Sequence, residues 1–110
     1  MSELIDESHL EMMGGRESDD LRLILDDFLE SVDSRAEVLR KGMEADAREE
    51  VRDEAHGLKG SANMCGFLAI GEHAAELERK AKNGEPFPEA GAWVDRLKEL
   101  EAATRTALGA

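Results

Sequence analysis

The sequence predicts an all-α fold: an antiparallel up-down four-helix bundle with a short extra N-terminal helix, occupying residues 1–110 as a single domain. Three observations lead there. The chain is poor in aromatic and β-branched residues, with three Phe, one Trp and no Tyr, and rich in strong helix formers. Its apolar residues recur every three or four positions through four long segments instead of alternating. The breaks between those segments are short and carry glycine, proline, asparagine or aspartate. A chain of this length buries about 65% of its unfolded surface around one core.

Each element has its own signature. Residues 3–13 hold Leu4, Ile5, Leu10 and Met13 and predict a brief helix across one end of the domain, broken by Gly14-Gly15. From Ser18, with Asp19 and Asp20 in the first turn, runs a long helix. Its stripe is Leu21, Ile24, Leu25, Phe28, Val32, Ala36, Leu39 and Met43, with an interruption near Gly42. Asp46 reads as the N-cap of the next helix, which extends from about Ala47 to Cys65 and stops at Gly66. Another covers Leu68 to Lys82, with Ile70, Ala74, Leu77 and Ala81 inward, and ends at Asn83-Gly84. Pro86 and Pro88 open the last, whose stripe is Ala90, Trp93, Val94, Leu97, Leu100, Thr104 and Leu108. No stripe sustains a heptad beyond three or four turns, so these are core faces and not coiled-coil seams.

Composition narrows the function. With 26 acidic against 14 basic residues the net charge is −12, which makes nucleic acid and anionic membrane poor partners. One cysteine permits no internal disulfide and suits a reducing compartment. No apolar run approaches the roughly 20 residues of a membrane span, and the N-terminus has no signal-peptide pattern. The expectation is a free-standing, monomeric, cytoplasmic protein.

Residues 55–62, Ala-His-Gly-Leu-Lys-Gly-Ser-Ala, carry most of the functional information. On the helix through them, Ala47, Val51, Ala55, Leu58, Ala62 and Cys65 form the apolar face. Glu49, Arg52, Asp53, His56, Lys59, Gly60 and Asn63 form the opposite, wet face. Lys59 and Gly60 flank His56 one turn on. A mid-helix glycine costs about 1 kcal/mol relative to alanine, and access explains it: Gly60 leaves the imidazole unshielded, while Lys59 sets a cation beside any anion the ring holds. That combination suits docking of a phosphoryl group and of the protein that delivers it.

This stretch, followed by Gly66, Ile70, Leu77 and Glu78, resembles the histidine-containing phosphotransfer (HPt) domain family, whose pattern is His-x-Leu-Lys-Gly-Ser/Ala-Ala, a glycine ten residues after the histidine and a Leu-Glu pair in the next helix. The resemblance spans roughly residues 14–84, with the strong motif in 55–78. Gly57 stands where threonine or serine is common, Cys65 where leucine is usual, Phe67 where a small residue is frequent, and His73 at a position usually apolar. The resemblance implies that His56 is the phosphoacceptor through Nε2 and that Lys59 stabilises the phosphoryl charge. The implied partners are response-regulator receiver domains and a hybrid sensor histidine kinase. It implies no cofactor of the chain's own, Mg²⁺ coming from the receiver. Gly60, Arg52, Asn63, Gly57 and Phe67 are the expected receiver-docking residues, Phe67 being alternatively a cap on the core.

Other chemistries are poorly supported. His9, His73 and Cys65 lack zinc-site spacing, His73 lies on the inward stripe of its helix, and Cys65 and His56 point to opposite faces. There is no Gly-rich nucleotide loop, nucleophile elbow or kinase catalytic loop, so the chain is expected to receive phosphate and not to generate it. The competing reading is a docking module that binds receivers or other signalling proteins without carrying phosphate.

Overall fold

The computed structural model describes residues 3–109; Met1, Ser2 and Ala110, the ends of the domain expected over 1–110, lie outside the described residues. Five helices form: α1 (Glu7–Met12), α2 (Asp19–Glu44), α3 (Arg48–Met64), α4 (Leu68–Lys82) and α5 (Ala90–Ala107). The four long ones pack in a ring, α2 on α3, α3 on α4, α4 on α5 and α5 back on α2, with the α3–α4 contact the most extensive. Their stripes meet in one core that includes Leu25, Val32, Leu39, Leu58, Ile70, Leu77 and Leu97, each fully buried.

Ser18 caps α2, its hydroxyl accepting from Leu21 N at 3.2 Å. Two expectations for this helix fail. Ile24, placed on the stripe by its spacing, is 53% exposed, and Leu29 takes its place in the core. Gly42 does not interrupt the helix. It is buried in its last turn, where a Cβ would stand 2.7 Å from Val51 Cγ2. Glycine there lets α2 and α3 approach closely.

Asp46 is likewise not the N-cap of α3. It sits at φ 53°, the left-handed residue of a Schellman turn that closes α2, with Ala47 N donating to Gly42 O (2.9 Å) and Asp46 N to Met43 O (3.2 Å). Its carboxylate pairs with Arg48 at 3.2 Å, and Ala47 occupies the cap position of α3 without a side-chain cap. Acidic residues near a helix start look alike in sequence whether they close one helix or open the next.

The same turn, built on Gly66 (φ 75°), joins α3 to α4: Phe67 N donates to Ala62 O (2.9 Å) and Gly66 N to Asn63 O (3.0 Å). The residue after the glycine then folds inward, and Phe67 is fully buried, its ring 5.6 Å from that of Phe28. α1 covers this turn. Asp6 N donates to Gly66 O (2.8 Å), His9 Nε2 donates to Met64 O (2.7 Å), and Ile5 and Leu10 are buried.

Pro86 and Pro88 precede α5 and do not open it; Glu89 is the cap, its carboxylate accepting from Gly91 N and Ala92 N. Arginines close the far ends. Arg16 donates to Ala107 O (2.8 Å) and Arg22 to Leu108 O (3.0 Å), carbonyls that the end of α5 leaves free, and Arg48 donates to Glu85 O (2.7 Å) in the loop after α4.

Because an L-residue at positive φ is strained and glycine is not, Asp46→Gly is expected to raise stability by roughly 0.5–1 kcal/mol. The exposed Asp46–Arg48 pair it removes is worth little. Urea unfolding of the two proteins checks this; a lower midpoint for the glycine variant would contradict it.

Candidate functional site

Val51, Ala55, Leu58 and Ala62 are buried and fix the rotation of α3. That rotation turns His56 outward, its side chain 66% exposed. α4 supplies the neighbour: Leu77 is buried, and the next residue, Glu78, stands beside α3 with 17% of its side chain exposed. Glu78 Oε2 lies 2.8 Å from His56 Nδ1, and Glu78 Oε1 lies 2.6 Å from Lys59 Nζ. One carboxylate therefore holds both residues of the motif.

The electrostatics follow. The hydrogen bond from Lys59, opposed by desolvation and reinforced by the bond from His56, keeps the Glu78 carboxyl below the usual carboxylate range. An ionised carboxylate can only accept. The proton between the two groups is thus on His56 Nδ1, and in the neutral ring Nε2 keeps its lone pair on the solvent side. The arrangement makes a nucleophilic nitrogen of fixed tautomer and direction at the surface.

The other predicted residues separate into groups. Gly60 borders open space, with no atom within 4 Å of a Cβ built there. Lys59 is engaged by Glu78 and is not free beside the ring. Arg52 is exposed but paired with Asp53 (3.3 Å) and Glu49 (3.9 Å). Asn63 is exposed, with its amide oxygen lying against Gly71 of α4. Gly57 faces α2, where Arg35 Nη1 would be 3.5 Å from its Cβ; Arg35 spans α3 there, reaching Glu54 at 3.5 Å and Ser61 at 3.5 Å. Phe67, expected as a receiver contact or a core cap, has no exposed surface. It is the cap, and its docking role falls.

Sequence reasoning gave Glu78 no function. Its signal was the Leu-Glu pair at the family spacing, but periodicity within α4 cannot say which residue of α3 it meets. Gly71, which leaves room for the Asn63 amide, was also passed over. His73 is structural: its ring stacks on Trp93 (centroids 4.3 Å apart, 13° between planes), its Nε2 donates to Trp93 O at 3.0 Å, and burial pushes its pKa down. Cys65 is buried, which raises its thiol pKa. Among the described residues, no three His, Cys, Asp or Glu side chains gather as a metal site, and no helix is long and apolar enough to cross a membrane.

The structure is a helical bundle that presents one exposed histidine, oriented from the next helix by a carboxylate. Comparison with known proteins gives the family. The Hpt domain model matches residues 23–107. The phosphorelay protein LuxU of Vibrio vulnificus, in strains YJ016 and CMCP6, is 30% identical over 89 residues, covering 78% of this chain and 77% of the relative. In fold, the chain is similar to histidine-containing phosphotransfer protein B (HptB) of Pseudomonas aeruginosa PAO1, with a TM-score of 0.82 over 99% of this chain and 94% of that one at 22% identity. The chain belongs to the Hpt domain family, and its role is phosphotransfer in a two-component phosphorelay.

Because Glu78 has a lowered folded pKa, its charge contributes stability that is fully present above the unfolded value of about 4.3 and is lost as pH falls through the folded value. The stability difference between wild type and Glu78→Gln is therefore expected to be constant near neutrality and to shrink on acidification below the ordinary carboxylate range. Urea unfolding at a series of pH values measures it, and a difference that grows on acidification would refute the assignment.

Proposed function

We propose that His56 is the phosphoacceptor of a phosphocarrier that shuttles phosphoryl groups between receiver-domain aspartates. The observation that supports this best is the Nδ1 contact to Glu78, which leaves Nε2 as the free, solvent-facing nucleophile. In the transfer, the Nε2 lone pair attacks the phosphorus of an aspartyl phosphate in line. The N–P bond forms as the bond to the aspartate oxygen breaks, and the aspartate leaves as a carboxylate. The reverse reaction passes the group to a second receiver. Since phosphoryl transfer needs mainly positioning and charge neutralisation, the receiver supplies Mg²⁺.

Two residues complete the carrier's part. The phosphoryl group brings about −1.5 to −2 charges and competes with Glu78 for Lys59, whose ammonium is already aligned on the same side of α3. Gly60 keeps the approach to Nε2 clear. With no nucleotide motif, the chain acts without autonomous catalysis, as a monomer in a bacterial cytoplasm, between a hybrid sensor kinase and a response regulator. Incubation with a panel of phosphorylated receivers, followed by mapping of acid-labile, base-stable label, tests the whole reading.

His56→Gln is expected to abolish labelling while changing stability by no more than about 0.5 kcal/mol, because the ring is exposed. Label persisting on His9 or His73 would overturn the assignment. Gly60→Leu is expected to keep the fold, since nothing stands where its side chain would go, and to lose most of the transfer rate by blocking approach. Wild-type transfer rates in that variant, measured with one phosphorylated receiver, would remove the steric argument.

A further inference from the structure

The charges around His56 are not symmetric. One turn before it on α3, Arg52 contacts two carboxylates, Asp53 and Glu49, while Arg48 pairs with Asp46 and Arg35 of α2 with Glu54. On the α4 side lies an open hollow of about 350 Å³ lined by Lys59, Ala75, Glu78, Arg79, Lys82 and Asn83. Ala75, Glu78, Arg79 and Lys82 follow the i, i+3, i+4, i+7 spacing and so share one face of α4. Three cations line the hollow. Lys59 is paired with Glu78 and Arg79 with Glu85 (2.8 Å), whereas Lys82 is exposed and has no carboxylate within ion-pair distance among the described residues.

Arg52 is thus outnumbered by its two carboxylates, whereas the hollow holds three cations, Lys59, Arg79 and Lys82, against two carboxylates, Glu78 and Glu85. This is a basic spot on a chain whose net charge is −12. Cations in the last turn of α4 also favour its dipole, but that effect asks for no hollow and no position beside Lys59 and Glu78. We propose that the α4 face centred on Lys82 is the docking surface for the acidic rim of the phosphorylated receiver, so that the partner reaches His56 across α4. The proposal rests on the phosphocarrier reading. It moves the docking cation from Arg52, the choice made from the helix wheel, to a residue of the neighbouring helix. A surface aspartyl phosphate and its surrounding carboxylates form an anionic partner, which a row of cations at the rim accelerates in association more than it tightens in the complex.

The test is the rate of phosphoryl transfer from one purified, phosphorylated receiver to wild type, Lys82→Glu, Lys82→Ala and Arg52→Glu, at subsaturating concentrations and at low and high salt. Lys82→Glu should slow transfer on the order of tenfold at low salt, Lys82→Ala by less, and Arg52→Glu by less than Lys82→Glu. All should converge toward wild type at high salt, where the Debye length falls to a few ångströms. Circular dichroism confirms folding of each variant, and the alanine variant carries the test if the glutamate variant does not fold. Equal rates for Lys82→Ala and wild type at low salt, or a larger loss for Arg52→Glu than for Lys82→Glu, would overturn the proposal. A wild-type protein that accepts phosphate from no receiver would bring down the phosphocarrier reading itself, a result distinguishable from either of those.

Discussion

The junction of α3 and α4 governs the rest of the molecule. The Schellman turn at Gly66 reverses the chain in few residues, and Phe67, driven inward immediately after it, anchors the start of α4 against Phe28. With α3 held by Val51, Ala55, Leu58 and Ala62, and α4 by Ile70, Ala74, Leu77 and Ala81, neither helix can rotate without exposing a stripe of core. The register between them then has one value. That value brings Glu78, twenty-two residues after His56, within hydrogen-bond distance of both His56 and Lys59. The site is thus a consequence of helix packing, with no loop needed to build it.

This construction separates stability from chemistry. Glu78 is nearly covered and its charge is matched by Lys59, so the pair is already formed before any phosphate arrives. His56 contributes little buried surface and makes one directed contact, enough to fix a tautomer while the ring stays open to solvent. The carrier needs no more, because the reaction is dominated by alignment and charge compensation, both shared with the partner.

Much of this was legible in the sequence, and the failures have physical causes. The helix positions, the outward histidine and its flanking glycine followed from periodicity along single helices, where 3.6 residues per turn fixes relative direction. Asp46 was misassigned because aspartate tolerates both the cap and the left-handed position, and the choice depends on which helix claims the turn. Ile24 was misjudged, and Phe67 left between core cap and receiver contact, because spacing shows that a residue can face the core but not which neighbours leave room for it. Glu78 belongs to a third kind: its contacts lie between two helices, which no single-helix pattern contains.

The helix-interior glycines make the same point from the standpoint of cost. Each weakens its helix by about 1 kcal/mol relative to alanine, and three of them are explained by a neighbour. Gly42 admits Val51 between α2 and α3, Gly57 lies under the Arg35 guanidinium, and Gly71 accommodates the Asn63 amide at the α3–α4 seam. At Gly60 nothing is near. Packing does not require a glycine there, and a larger residue would strengthen the helix. On the phosphocarrier reading proposed above, that stability cost keeps the surface one turn from an exposed and oriented histidine clear for a partner.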